Sequence, residues 1–112
     1  PRTSRLRSGR QHGAVRLKGI SFHGSLIKIG VLVNQTGPTV GAAVVSRRVG
    51  SAVVRNRVKR RLKEVFRHEL PGLKAGLWIV TTAKPTAATA SLGDLRSEWL
   101  RLGARLSIFA DS

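Results

Sequence analysis

The stretch from residue 53 to residue 67 constrains the fold most, because apolar and basic residues alternate in it with the period of an α-helix. Its apolar residues recur every three or four positions and therefore fall on one side of a helix. They are Val54, Val58, Leu62, Val65 and Phe66. Polar and basic residues follow the same period on the other side: Asn56, Lys59, Arg60, Lys63 and Arg67. The pattern predicts a helix that packs against a core and presents a row of cations outward.

The charge of the whole chain indicates a polyanionic partner. Lys and Arg number 21 against 5 Asp and Glu, so the formal net charge is +16 over 112 residues. Mutual repulsion of these cations destabilises a compact state unless a polyanion neutralises them, and nucleic acid is the leading candidate. A hydrophobic content of 41% is too high for a disordered basic tail. We therefore expect one RNA-binding domain over residues 1–112, with 1–9 as a candidate flexible end.

The first half of the chain predicts one short helix and two strands. A helix is expected at 10–18, with Gly19 as its stop signal. Residues 25–34 and 39–46 are strand-like, and the turn cluster 35–38 separates them. The two strands are predicted to pair as a β-hairpin.

The second half predicts the central helix, a strand and a last helix. Gly50 relieves backbone strain before the central helix, Ser51 caps it, and it ends near Leu70. Residues 77–82 form a buried strand, and Ser91 begins the last helix, with Asp94 in a variant of the capping box. The apolar side of that helix comprises Leu92, Leu95, Trp99, Leu102 and Leu106. A mixed sheet with the helices on one face is the simplest way to bury these residues.

No set of residues in the sequence has the spacing of a catalytic or metal site. Acid–base and metal-assisted catalysis need converging carboxylates, and the scattered acids fit helix-surface charge or capping better. These acids are Glu64, Glu69, Asp94, Glu98 and Asp111. His12, His23 and His68 lack metal-ligand spacing, cysteine is absent, and no glycine-rich phosphate loop is present. The sequence therefore favours a binding protein over one that carries its own catalytic site.

The known nucleic-acid modules do not match the order of elements. A DNA-reading helix-turn-helix needs a helix just before the recognition helix, whereas a strand-like run stands there. An RNA recognition motif needs aromatic residues on its strands, and aromatic residues are only 4% of the chain. An RNA recognised by shape and backbone is the better interpretation, with a merely solvated charged face as the alternative.

The cationic helix closely resembles the signature helix of a known family. Residues 55–67, which begin Arg55-Asn56-Arg57, resemble the RNR signature of the bacterial ribonuclease P protein subunit. Residues 46–54 resemble the strand and loop that lead into that family's helix, and 77–85 resemble its last strand. Arg5 and Leu6, together with Val15 and Gly19, resemble its N-terminal helix segment, so the resemblance covers nearly the whole chain.

The resemblance implies both a fold and a function. The fold is an α+β, two-layer α/β sandwich, with a mixed sheet of about four strands, three helices and a left-handed βαβ crossover. The family's enzyme is a ribonucleoprotein endoribonuclease, in which the RNA, with bound Mg²⁺, cleaves the 5′ leader from precursor tRNA. The protein is the accessory subunit, so no metal site and no catalytic residue are expected in this chain. Its expected partners are the catalytic RNA and the leader, with no obligate protein partner.

The resemblance also implies which residues bind RNA. The expected contacts to the catalytic RNA are Arg55, Asn56, Arg57, Lys59, Arg60, Arg61, Lys63 and Arg67. In the family the leader lies in a cleft between the first helix and the sheet. The candidate leader contacts here are His12, Arg16, Lys28, Arg47 and Arg48. The chain departs from the family pattern in this cleft, since His12 and Arg16 stand where Phe is common and Gly30 stands where Tyr or His is frequent, which shifts binding toward charge.

Two other classes of function stay open at this point. A structural, ribosomal-type RNA-binding protein without a role in tRNA processing would carry the same charge. A stand-alone nuclease would need the scattered acids to converge in space. No apolar run approaches the roughly 20 residues that span a bilayer, and the lack of cysteine fits a reducing compartment. The cytoplasm is therefore the expected location.

Overall fold

The computed structural model describes residues 9–110, which form three helices and four strands. In chain order these are α1 (Gly9–Lys18), β1 (Ile20–His23), β2 (Ile27–Leu32), β3 (Val40–Val44), α2 (Ala52–Glu69), β4 (Trp78–Ala83) and α3 (Leu92–Arg105). Short 3-10 turns lie at Arg47–Val49, Leu70–Gly72 and Pro85–Thr89. The predicted order of elements is confirmed. The candidate flexible end at 1–9 lies outside the described residues, except that Gly9 begins α1, and the single domain over 1–112 stays a prediction.

The four strands form one mixed sheet in the order β1-β2-β4-β3. Strand β2 is antiparallel to both β1 and β4, whereas β3 is parallel to β4. Parallel neighbours need a long crossover connection, and α2 supplies it between β3 and β4. The mixed sheet of four strands confirms the predicted fold class, while the left-handed sense of the crossover stays an expectation from the resemblance.

The predicted hairpin between 25–34 and 39–46 is wrong. Both edges of β2 are occupied by other strands, because β1 pairs with one edge and β4 with the other. The turn cluster instead carries the chain across the sheet, and Gln35 N donates a hydrogen bond to the carbonyl of Gly76 (2.9 Å). Strand β1 was not predicted, since it has only four residues and three of them are exposed.

One face of the sheet forms the main core with α2 and α3. Alternate residues of β2 and β4 point to this face, including Ile27, Ile29 and Ile79, each 0% exposed. Trp99 of α3 is also 0% exposed, and its Nε1 donates to Thr81 Oγ1 of β4 (2.9 Å). The indole therefore joins α3 to the centre of the sheet.

Helix α1 lies on the opposite face, which corrects the expectation that all helices share one face. Gly30 alternates with Ile29 and Val31, so it points away from the main core, and a Cβ there would lie 3.2 Å from Val15 Cγ1 of α1. Val15 is 3% exposed, whereas Leu17 is 81% exposed. With so weak an apolar side, α1 cannot join the main core and covers only a small part of the second face.

The predicted N-terminal starts of the two long helices, α2 and α3, are confirmed by their caps. Ser51 Oγ accepts from Val54 N (3.3 Å) and Ser91 Oγ accepts from Asp94 N (3.0 Å). Gly50 adopts a φ of 152°, a backbone conformation that residues other than glycine rarely adopt. The predicted apolar side of α3 is correct from Leu95 onward but wrong for the first residue of the helix, Leu92, which is 42% exposed.

Glu98 is not a surface charge, as the sequence had suggested, but a buried carboxylate that holds the turn between β1 and β2. Its Oε1 accepts from Ser25 N (3.0 Å) and Ser25 Oγ (2.9 Å), and its Oε2 accepts from the amides of Leu26 and Ile27 (2.7 Å each). A Cβ at Gly24 would collide with this carboxylate. Burial raises the pKa of Glu98, but the hydrogen bonds from Leu26, Ile27 and Ser25 outweigh it, so the pKa lies below its ordinary value.

We predict that Glu98→Gln lowers the free energy of unfolding by about 2–3 kcal/mol, because a carboxamide cannot accept hydrogen bonds at both of its terminal atoms. Urea denaturation near pH 7 measures the loss. Glu64→Gln is the control, since Glu64 makes an exposed ion pair and should change stability by less than about 1 kcal/mol.

The pH dependence provides a second check on Glu98. Because its native pKa is lowered, its stabilisation is complete above the ordinary carboxyl value of 4.5 and is lost as the pH falls from there toward the native pKa. The difference in unfolding free energy between the natural protein and Glu98→Gln should therefore shrink below pH 4.5. A difference that stays constant through this range contradicts the assignment.

Candidate nucleic-acid interface

The outward side of α2 and strand β3 enclose a groove of about 820 Å³, called here the α2 groove. The helix lines it with the predicted polar side chains, all of which are exposed: Asn56, Lys59, Arg60, Lys63 and Arg67. The small residues Gly41, Ala42 and Ala43 line its β3 side. The outward position of the cation row is therefore as predicted, and its contact with RNA stays a prediction.

The inward side of α2 holds this row in place. Val58, Leu62 and Val65 are 0%, 1% and 2% exposed, and Val54 and Phe66 pack against the same core while half-buried. The predicted apolar side is confirmed in full. A helix anchored along its whole length presents its cations at nearly fixed spacing, which favours binding to the regularly spaced phosphates of a nucleic acid.

One acid lines the groove among the described residues, and it is paired within the helix. Glu64 accepts two hydrogen bonds from Arg67 Nη2, at 2.6 Å (Oε1) and 2.8 Å (Oε2). Arg67 nevertheless stays 76% exposed at its side chain. The pair reduces the positive charge at the C-terminal end of the groove, so the end with Lys59 and Arg60 is the more strongly basic one.

Arg57 and Arg61 lie on another side of α2 and hold the following segment of the chain. Arg57 Nη2 donates to the carbonyl of Ala88 (2.9 Å), and Arg61 Nη1 donates to the carbonyl of Ala90 (2.6 Å). Both arginines are half-buried and neither lines the α2 groove. A guanidinium has five N–H donors, so contact with RNA stays a prediction for both residues, beside a structural role that the sequence did not reveal.

Arg55 differs from the exposed cations as well. It is half-buried, and its Nε is a buried atom without a hydrogen-bond partner among the described residues. It does not line the groove. Its predicted RNA contact is untested, and only the terminal part of its guanidinium could make that contact.

A second cavity, of about 380 Å³, lies between α1 and the sheet and is called here the α1 cleft. The structure brings three of the five candidate leader contacts together in it: His12, Arg16 and Lys28. Gly30 lines it as well. The other two candidates, Arg47 and Arg48, are exposed on the 3-10 turn after β3 and do not line the cleft.

Sequence reasoning missed most of the wall of this cleft. Ser21, Val44, Val80 and Thr82 line it from β1, β3 and β4. The period of two in the predicted strand puts Val80 and Thr82 on one face and Ile79 and Thr81 on the other, so the sequence indicates that the first two share a face. The others could be found only once the strand order and register were known.

The described residues contain no group of three His, Asp or Glu side chains close enough to hold a metal ion. Two of the predicted surface acids are paired with basic residues, since Glu64 pairs with Arg67 and Glu69 pairs with Arg96 (3.1 Å). Asp111 lies outside the described residues. Within 9–110, no helix is long and apolar enough to cross a membrane.

Comparison with known proteins agrees with the geometry. The family model described as Ribonuclease P matches residues 1–107. The chain belongs to the ribonuclease P protein family. It is 39% identical to the ribonuclease P protein component of Acidothermus cellulolyticus over 110 residues, covering 96% of this chain and 91% of the relative. It is 33% identical to that of a Pseudanabaena species, covering 96% and 95% of the two chains.

Solved structures support the same assignment. The ribonuclease P protein of Thermotoga maritima superposes with a TM-score of 0.80 at 25% identity, covering 90% of this chain and 96% of that one. The Staphylococcus aureus protein has a TM-score of 0.86 at 18% identity, covering 96% and 98%, and at that identity it shows the shared fold alone. Membership of the family assigns the chain to ribonuclease P and hence to tRNA processing.

We predict that Arg61→Ala lowers the free energy of unfolding by about 1 kcal/mol, because it removes a charge-assisted hydrogen bond from a half-buried carbonyl. Thermal or urea unfolding of the isolated protein measures the loss. Lys59→Ala, which removes an exposed cation from the same helix, should stay within about 0.5 kcal/mol of the natural protein. Equal stability of the two variants would contradict the structural role of Arg61.

Proposed function

We propose that this protein is the accessory subunit of ribonuclease P, which binds the catalytic RNA along the α2 groove and the 5′ leader of precursor tRNA in the α1 cleft. The observation that carries the proposal is the row of exposed cations on a core-anchored helix, with Lys59 and Arg60 at its most basic end. Such a row binds phosphates and orients a folded RNA without reading its sequence. We expect a protein with this function to be located in the cytoplasm.

We place catalysis in the RNA. Three of the four described carboxylates are already engaged, since Glu98 accepts five hydrogen bonds and Glu64 and Glu69 pair with arginines. In this proposal Mg²⁺ is bound by oxygens of the RNA. The protein contributes positive charge, which lowers the repulsion between two RNA molecules that must lie side by side.

The chemistry of the α1 cleft suits an unstructured RNA strand. Arg16 and Lys28 supply positive charge from opposite walls, and Gly30 lines the bottom, where the lack of a side chain lets Val15 of α1 approach the sheet closely. Val80 and Val44 offer apolar surface but no stacking platform. The leader is therefore expected to be held by its phosphates and by at most one stacked base, on His12, with little preference for sequence and strong dependence on salt.

Reconstitution with a candidate catalytic RNA tests the function. We expect the protein to increase cleavage of the 5′ leader at low Mg²⁺, where RNA alone is slow. Binding without any gain in cleavage would favour the structural, ribosomal-type alternative. Cleavage by repurified protein without RNA would favour a nuclease site in the protein.

We predict that the double variant Lys59→Ala with Arg60→Ala weakens binding to the catalytic RNA and reduces the slope of log affinity against log salt by about two units, one for each lost phosphate contact. A titration of affinity from low to high salt measures this slope. Lys74→Ala is the matched control, because Lys74 is an exposed cation that lines neither cavity. An unchanged slope in the double variant would count against the α2 groove as the RNA site.

We also predict that Arg16→Ala with Lys28→Ala weakens the reconstituted enzyme's affinity for precursor tRNA about fivefold at low salt, as expected from the loss of two solvated ion contacts. Affinity for mature tRNA, which lacks a leader, should change little. Comparing the two substrates isolates the contribution of the leader. A loss of equal size for both would place these cations outside the leader site.

A further inference from the structure

His12 lines both cavities. It belongs to the wall of the α2 groove and to that of the α1 cleft, and no other described residue is shared between them. The two cavities lie on opposite faces of the sheet. A residue that lines both must therefore lie at an edge of the sheet, where the two faces meet. That place is the edge of the sheet at β3.

The geometry of β3 explains how the two cavities approach each other. Strand β3 is the last in the sheet order, so one of its edges has no neighbouring strand within residues 9–110. Gly41 and Ala43 pair with Ile79 and Thr81 and share the face of α2, whereas Ala42 pairs with Val80, on the face of α1. All three β3 residues line the α2 groove. The groove therefore reaches round the β3 edge, and the small side chains leave it open there.

The chemistry of His12 suits contact with RNA. Its ring is half-buried on α1, and its Nε2 is a buried atom without a hydrogen-bond partner among the described residues. Buried polar atoms in folded proteins are nearly always hydrogen-bonded, so an unpaired one requires an explanation. Among the residues that line the α1 cleft, His12 is also the one with an aromatic ring on which a base can stack.

We propose that His12 contacts both RNAs at the β3 edge: its ring stacks on a base of the leader, and its Nε2, which a rotation of the side chain brings to the surface, bonds to the catalytic RNA in the α2 groove. This inference rests on the proposed function of the two cavities. It makes His12 a positioning residue that sets the leader against the catalytic RNA. Because one side chain serves both ligands, binding of either RNA orders His12 for the other, and the coupling is reciprocal.

The test compares four single variants in two binding measurements: affinity of the protein for the catalytic RNA, and affinity of the reconstituted enzyme for precursor tRNA relative to mature tRNA. Arg16→Ala alters the cleft alone, Lys59→Ala alters the groove alone, and Lys74→Ala alters neither. His12→Ala should weaken the leader-dependent affinity at least about fivefold, as for one lost stacked base. It should also weaken affinity for the catalytic RNA about three- to tenfold, as for one lost hydrogen bond.

The controls separate the two levels of the proposal. If Arg16→Ala affects only leader binding, Lys59→Ala affects only catalytic RNA binding, and His12→Ala affects just one of them, the shared role of His12 is overturned while the proposed function stands. If neither Arg16→Ala nor Lys59→Ala differs from Lys74→Ala, the proposed function itself fails.

A further variant distinguishes contact from loss of fold. His12→Phe keeps a planar ring and removes both ring nitrogens, so we expect it to retain leader-dependent affinity within about twofold of the natural protein. It should remain as weak as His12→Ala toward the catalytic RNA. A His12→Phe variant that is restored in both measurements, or in neither, overturns the division of roles between the ring and its nitrogen.

Discussion

Trp99 is the residue through which the helices and the sheet are held together. It is fully buried and donates its indole N–H to Thr81 in the middle of β4. Its ring meets Phe66 of α2 and Phe109 edge to face, at centroid distances of 6.3 and 6.2 Å. Such pairs add about 0.5–1.5 kcal/mol to the burial of apolar area. The position of α2 against the sheet, and hence of its cation row, depends on this contact.

Glu98 is the neighbour of Trp99 on α3 and binds a different part of the sheet, the turn between β1 and β2. Its carboxylate accepts hydrogen bonds from the turn before β2, while Lys84 Nζ and Thr86 Oγ1 bond to carbonyls of the same turn. A single helix thus fixes both β4, through Trp99, and the β1–β2 turn, through Glu98. Of the part of the chain that the structure describes, only the short α1 covers the face of the sheet remote from α2 and α3, and the cleft is the space that α1 leaves open.

The small side chains and the edge position of β3 explain why both candidate RNA sites lie near this strand. This strand has small side chains and one edge that no other described strand pairs with, so it leaves room for the groove beside α2 and for the contact between the two cavities at His12. Gly41 is required there, because a Cβ would lie 2.6 Å from the Phe66 ring. In a chain with a formal charge of +16, open space lined by cations is more readily filled by RNA than by another part of the protein.

The sequence by itself determined the elements whose pattern is local. The period of α2, its cap at Ser51, its inward and outward sides, and the buried strand β4 are all visible in the order of residues, because neighbours three or four apart meet on a helix whatever surrounds it. Only the tertiary structure decided which strands pair, on which face α1 lies, that Glu98 is buried, and that Arg57 and Arg61 bond to backbone carbonyls. Those outcomes depend on contacts between residues far apart in the chain, and period and composition carry no information about such partners.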